Sequence, residues 1–357
     1  MNAVHLIRRP FTQKLNLPLS QPLTCQLGYW GLVLWGDGHS PGAADQVKDV
    51  MRHYQNRMIV VYHITQIKFT YTKVLHESFA KAQKKMIIEP TPVLELNQVL
   101  EKLLAGISEI LHSNFLGADL GGSYAHGGWD LFSDVDFNVV IDHDLTDDDL
   151  AALTGVHTQI FAIDSYYAHH LEGSYFPKDV LADNNRTNEP VWYLDNGSLT
   201  FERSTHDNSL VNRWVLREHG VRLAGPVPEM WIPVVPVSKL KNEIRHTLIT
   251  WGNEILEDRY LLDNRWAQFF TVLMYCRMLH SLATGRVGSK PSGAEWAKAA
   301  LDARWIPLID DALSARPNQY QKYYEPPNPE LVRQTKAFVR FAIRYASARV
   351  DPDGLEP

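Results

Sequence analysis

The chain has 357 residues, room for two domains of ordinary size and a smaller piece. Hydrophobic content of 45% with charged content of 21% fits a globular protein in water, and no apolar run approaches a membrane span. A net charge of −6 argues against a nucleic-acid binder, and two cysteines, Cys25 and Cys276, allow neither a disulfide framework nor a zinc site. The fifteen histidines show no ligand spacing, and the adjacent His169 and His170 cannot share one strand face. A cytoplasmic monomer is expected.

In chain order, residues 1–85 come first and hold no acidic residue before Asp37. Arg8-Arg9 lacks a following signal-peptide core and serine is scarce, so neither a secretory nor a transit peptide is expected. The segment reads as a dispensable extension of unknown structure, upstream of the start that the native protein uses. Pro90-Thr91-Pro92 then precedes an expected helix running to about His112, with Leu96, Leu100, Leu103, Ile107 and Ile110 on its inner side.

The most informative stretch runs from Leu120 to Ile141. Val135, Phe137, Val139 and Ile141 alternate with Asp134, Asp136 and Asn138, the period of a strand with one face in a core. Asp134 and Asp136 then share the other face, roughly 6 to 7 Å apart, a spacing that lets two acids hold oxygen-seeking Mg²⁺ ions together with triphosphate oxygens. Upstream, Gly121 and Gly122 let backbone approach a phosphate, and Ser123 adds a hydroxyl donor at the turn. Ser133 is a second candidate hydroxyl on the phosphate side. An Asp-x-Asp in a solvated turn is the ordinary alternative.

Asp147-Asp148-Asp149 reads as the negative first turn of a helix after Thr146. Leu171 to Pro177 is a short strand closed by proline, with Glu172 opposite Leu171; on its residues alone Glu172 is a surface glutamate on an edge strand. Arg213 to His219 is expected to be helical, with Gly220 stopping it and Gly225-Pro226 turning the chain. His206 and Asp207 could face a cleft, although capping that helix suits Asp207 better.

Leu240, Ile244, Leu248, Trp251 and Ile255 form one helical stripe, which makes Trp251 a core residue by pattern. The segment from Trp266 to Leu282 is apolar nearly all round, and Arg277 inside it needs an anion, either a structural partner or a phosphate. Gly285 is expected to end that helix, and Ser292-Gly293-Ala294-Glu295 to open the next as a capping box. Lys290 lies near the helix start, where a cation and free N–H groups suit a triphosphate; an exposed loop lysine is the alternative. One more helix is expected from Pro329 to Ala348.

The Gly-Gly-Ser turn and Asp134-Val135-Asp136 resemble the nucleotidyltransferase superfamily related to DNA polymerase β. Adding Leu-Glu-Gly-Ser-Tyr-Phe-Pro at 171–177 and the run from Arg277 to Trp296, the chain from near Met86 is similar to aminoglycoside adenylyltransferases of the spectinomycin/streptomycin type. The resemblance implies an α+β fold, with a polymerase-β-like catalytic domain of small mixed sheet and helices over residues 86–235. An all-α helical domain over 236–350 and a tail at 351–357 would follow. It implies ATP as co-substrate, Asp134 and Asp136 as ligands of two Mg²⁺ ions, and Glu172 as general base. Gly122, Ser123, Ser133, Arg277 and Lys290 would hold the nucleotide.

The same resemblance places Trp251 in the acceptor site, where Glu257 and Asp263, with Glu254 and Asp258, would attract a cationic aminoglycoside and confer antibiotic resistance. The acids expected before the Arg277 helix do not align, since Ala267 and Gln268 stand there. Transfer to another small molecule or a protein, or a catalytically silent nucleotide-binding regulator, are the other readings.

Overall fold

The computed structural model describes the backbone of five strands within residues 1–62, and residues 89–348 apart from 132 and 318. The chain divides into two compact units, Met1–Ile87 and Ile88–Pro357. The first contains an antiparallel sheet of order β2-β1-β4-β3-β5, from β1 (Ala3–Ile7), β2 (Thr12–Asn16), β3 (Gln21–Leu27), β4 (Trp30–Gly36) and β5 (Val61–Tyr62). The rest of that segment, and with it the expectation of a dispensable extension, lies outside the described residues.

The second unit opens with α1 (Leu94–Leu111). Its entry is fixed by Asn97, whose side-chain oxygen accepts from the Thr91 N–H at 3.1 Å and whose amide donates to the Thr91 carbonyl at 2.8 Å. Leu96, Leu100, Leu103 and Ile107 are buried as expected, and Ile110 is half-buried. The chain then builds a six-stranded mixed sheet of order β10-β9-β8-β7-β6-β11. Its strands are β6 (Phe115–Leu120), β7 (Val135–Ile141), β8 (Leu171–Pro177), β9 (Val191–Leu194), β10 (Glu202–Ser204) and β11 (Val221–Ala224).

Only β7 and β8 pair in parallel, as two strands joined by a helical crossover must. That crossover carries α3 (Asp147–Phe161), opened by a capping box of Thr146 and Asp149 and a first turn of three aspartates. The short α2 (Gly122–Ala125) follows β6.

Strand alternation gives the sheet two unlike faces. Val135, Phe137, Val139 and Ile141 bury with α1, Leu153 and Ile160 in one core. The other face changes character along its length: Asp136, Asn138, Val140 on β7 run beside Glu172, Ser174, Phe176 on β8. At the apolar end, Val140 and Phe176 are covered by Leu216 of α5 (Leu210–His219) and by Val180 of α4 (Lys178–Leu181). The polar end is where a site can form.

The remaining helices are α6 (Val237–Leu256), α7 (Arg265–Thr284), α8 (Lys290–Ala300), α9 (Ile306–Ala315) and α10 (Pro329–Ser347), packed round a core of Leu240, Leu248, Leu273, Ile309 and Phe338 among others. Gly285, at φ 70°, ends α7 in the left-handed conformation that glycine adopts without strain. The expected capping box at Ser292 is not the start of α8: Ser289 caps it, accepting from the Ser292 N–H, and Lys290-Pro291 open the helix. Proline suits a first turn, where its missing N–H has no helical partner. Glu243 on α6 accepts from the N–H groups of Leu210 (2.9 Å) and Val211 (3.0 Å), so one carboxylate of the helical part caps a helix of the sheet part. No helix among the described residues is long and apolar enough to cross a membrane.

Candidate active site

The register of β7 and β8 puts Asp136 directly opposite Glu172 and Asn138 opposite Ser174. Asp134 sits one residue before β7. β8 is not an edge strand, because β9 pairs along its other side through Gly173, Ser174 and Tyr175. Glu172 is therefore held at the polar end of the sheet, against the edge-strand expectation. Gly122 reaches the same place from β6: its φ is +50°, and a Cβ there would stand 1.7 Å from Oδ2 of Asp136. Only glycine fits. The Gly121 N–H donates to the Asp136 carbonyl at 2.8 Å, and the Ser123 hydroxyl is buried with no partner among the described residues.

Four acids converge here. Burial pushes Asp136 well above the usual carboxylate range, and Asp134, Glu172 and Asp207 push it further. Glu172 is raised to about 7, first by burial; the hydrogen bond from Tyr193 opposes this, while Asp134 and Asp207 add to it. Asp207 does not cap α5. Ser209 does, accepting from the Asn212 N–H, while Asp207 accepts from the Ser174 hydroxyl at 2.7 Å. His206 Nε2 lies 3.4 Å from Oε1 of Glu172. Ligand atoms of Glu172, His206 and Asp207 fall within 4.8 Å of one another, a geometry able to hold a cation. Tyr193 escaped the sequence reading because no local pattern places it beside Glu172, whereas His206 and Asp207 take the cleft-facing alternative considered for them.

Opposite the acids stand two cations. Burial lowers the pKa of Arg277 on α7, and Asp136 raises it; burial likewise lowers Lys290 at the start of α8, with Asp134 and Asp136 opposing. Neither has a carboxylate within ion-pair distance among the described residues, although Arg277 feels Asp136 and Lys290 feels both Asp134 and Asp136. Among the described residues the arginine with no exposed surface is Arg213, which donates to the carbonyls of Val180, Leu181 and Asp183 and to Asn208.

Close packing brings the two cations in. A Cβ on Gly293 would meet Arg277 Cα at 2.6 Å, and one on Gly128 would meet Ser289 Cβ at 2.4 Å. Arg316, also unforeseen, clamps that loop: it donates to the Gly128 carbonyl at 2.6 Å and lies 3.2 Å from an Asp130 carboxylate oxygen.

Other expected residues sit differently. The Ser133 hydroxyl closes its own turn, accepting from the Asp130 N–H at 2.9 Å. Trp251 packs against the helical core, stacked on Tyr275 at 5.3 Å. Glu254 and Glu257 pair with Arg259, at 3.7 and 2.9 Å, and Asp258 pairs with Lys336. Asp263 accepts from the Asn264 amide at 3.2 Å. Near Lys290 the wall is aromatic: its ammonium lies 5.0 Å over Phe270, which stacks on Trp266, which stacks on Tyr323.

A mixed sheet presenting paired acids toward cations of a following helical bundle defines a nucleotidyltransferase. The family model "Aminoglycoside adenylyltransferase, C-terminal domain" matches residues 232–341. An aminoglycoside (3'') (9) adenylyltransferase of Shigella flexneri is 25% identical over 252 residues, 65% of this chain and 93% of the relative. A spectinomycin 9-adenylyltransferase of Staphylococcus aureus is 24% identical over 260 residues, 69% of this chain and 92% of the relative. Among solved structures, a spectinomycin adenyltransferase AAD(9) from Enterococcus faecialis, crystallised with ATP and spectinomycin, has the same fold. Its TM-score is 0.51 at 17% identity, covering 69% of this chain and 98% of that one. The chain is thus similar to aminoglycoside adenylyltransferases, through their C-terminal domain model over residues 232–341 and through relatives matched over nearly their whole length.

Proposed function

We propose that the protein moves AMP from Mg·ATP to a hydroxyl of a small cationic acceptor, an aminoglycoside such as spectinomycin, and releases pyrophosphate. The observation that carries this reading is the pairing of Asp136 with Glu172 across β7 and β8, facing Arg277 and Lys290. The acids fit a divalent ion: Asp136 is crowded by Asp134, Glu172 and Asp207, and that repulsion calls for positive charge. When bound by Asp134 and Asp136, Mg²⁺ would neutralise triphosphate oxygens and polarise the α-phosphate.

Arg277 and Lys290 hold the triphosphate from the helical side. Gly122 and the unpartnered Ser123 hydroxyl hold it from the turn after β6. Ser133 acts at one remove, by shaping the turn that leads into Asp134. Glu172 takes the proton of the acceptor hydroxyl, whose oxygen attacks the α-phosphorus as the bond to the bridging oxygen of pyrophosphate breaks. In this reading residues 86–235 form the catalytic domain and 236–350 the helical one, acting as a cytoplasmic monomer.

A second reading concerns the acceptor. With Glu254, Glu257 and Asp258 paired to Arg259 and Lys336, and rings of Phe270, Trp266 and Tyr323 lining the approach, the site favours an acceptor held by ring faces over a polycation held by that acidic patch. Pyrophosphate release from Mg·ATP, measured with spectinomycin, streptomycin and other aminoglycosides, tests the function. Release with an aminoglycoside, lowered about 10²- to 10⁴-fold in Glu172→Gln with ATP affinity kept, is the expected result. ATP binding without release for any of them would sink the aminoglycoside reading.

A further inference from the structure

A carboxylate acting as base has two oxygens, and its efficiency depends on which one meets the reacting hydroxyl and how firmly it is held. In this chain the two oxygens of Glu172 are not equivalent. The Tyr193 hydroxyl, on β9, donates to Oε1 at 2.7 Å. His206 Nε2 approaches the same oxygen at 3.4 Å. Both contacts fall on Oε1, which leaves Oε2 with no hydrogen bond among the described residues. Tyr193 is itself held on several sides: it is 4% exposed, its backbone pairs with Ser174 of β8 and Glu202 of β10, and its ring lies 5.3 Å from that of His206.

The Tyr193 oxygen also stands 3.1 Å from Oδ1 of the exposed Asp195. A phenol has one proton to give, and the shorter contact goes to Glu172. A buried phenol beside a largely enclosed carboxylate, with a solvated one as the alternative partner, is built to serve the enclosed one.

We propose that Tyr193 is the positioning residue of the general base: its hydroxyl fixes Oε1 of Glu172 so that Oε2 receives the acceptor proton. The proposal rests on the reading of Glu172 as base. It differs from a packing role because Phe would fill the same space, and from substrate binding because the hydroxyl acts only through Glu172.

The test is a double-mutant cycle on the full chain, with Tyr193→Phe and Glu172→Gln singly and together. Single-turnover pyrophosphate release from Mg·ATP is measured with spectinomycin, with streptomycin, and with water as acceptor. Tyr193→Phe is expected to lower kcat by about 10- to 100-fold, the worth of a hydrogen bond to a charged group, with KM for ATP and acceptor unchanged. In the Glu172→Gln background it should cost nothing further. Asp195→Asn, which keeps the bond to Glu172, should retain kcat within about twofold.

Equal losses in both backgrounds, a rise in KM with kcat kept, a loss in Asp195→Asn matching that of Tyr193→Phe, or a Tyr193→Phe protein without a cooperative melt would each overturn the proposal. An unchanged rate in Glu172→Gln overturns the base itself. A slow Glu172→Gln beside a normal Tyr193→Phe overturns only the positioning role. A wild type inert with all three acceptors removes both.

Discussion

Asp136 on β7 and Glu172 on β8 face each other across one parallel strand pair, and Gly122 from the preceding turn lies so close to Asp136 that a methyl group cannot be placed between them. Acids in this arrangement repel, and among the described residues of the sheet no cation pairs with them.

Relieving that repulsion should stabilise the protein while disabling it. Asp136→Asn is expected to lower turnover about 10³-fold or more, since the interaction with a divalent ion is worth several kcal/mol. The same variant, free of metal and ATP, should melt at a higher temperature than wild type, by the equivalent of about 0.5–2 kcal/mol. Differential scanning calorimetry with and without Mg²⁺ checks the second effect; a lower metal-free melting temperature would contradict it.

Glu172 sets a pH dependence of known sign. Its pKa in the folded, metal-free protein is raised to about 7 by burial and by Asp134 and Asp207, against Tyr193 and His206. An acid with a raised folded pKa is unfavourable when ionised, so its cost is present above about pH 7 and is relieved as pH falls toward the unfolded value. Metal-free stability should therefore gain as pH drops from 8 to 5, and Glu172→Gln should flatten that gain. The rate should move oppositely: kcat/KM rises with pH as the base deprotonates. Urea melts and pH–rate profiles on the two proteins measure these trends.

The two cations should act on nucleotide affinity. Arg277→Ala or Lys290→Ala is expected to raise KM for ATP by about 10- to 100-fold, as the loss of a charge-assisted contact does, with the acceptor KM little changed. Arg277→Lys should recover only part of it, because an ammonium lacks the planar fork of a guanidinium. Calorimetric titration with ATP reads the affinity directly.

Two glycines give opposite outcomes. Gly122→Ala places a Cβ 1.7 Å from Asp136 Oδ2 at a φ of +50°, and should abolish activity and cost more than about 1 kcal/mol of stability. Gly155→Ala, exposed in α3 with nothing within 4 Å of the new Cβ, should stabilise by about 0.5–1 kcal/mol and leave activity alone. Melting curves of the pair provide a matched comparison.

The acidic patch near Trp251 should be silent. Glu257→Gln removes one partner of the exposed pair with Arg259, and is expected to leave acceptor KM within about twofold and stability within about 1 kcal/mol. A large rise in acceptor KM would return that patch to the acceptor site.

Much of this was legible in local pattern. The alternation from Val135 to Ile141, the acidic first turn after Thr146, the stripe from Leu240 to Ile255 and the glycine stop at Gly285 are short-range signals, because backbone geometry and a period of two or 3.6 act within a few residues. Where local signals compete, the reading failed: Ser289 and Ser292 both suit a helix start, and so do Asp207 and Ser209. In the structure the caps are Ser289 and Ser209.

By itself the sequence determined which residue types stand on which strand or helix, and hence that paired acids follow a glycine-serine turn. Only the tertiary structure decided who meets them. The parallel pairing of β8 with β7 set Glu172 beside Asp136, and β9 on the other side of β8 brought Tyr193 to Glu172. The packing of α7 on α8 carried Arg277 and Lys290 toward the acids from more than a hundred residues away, and Arg316 closed on Gly128 over a separation of 188 residues. Such pairings follow from the global fit of cores and sheet order, which no local window of the chain encodes.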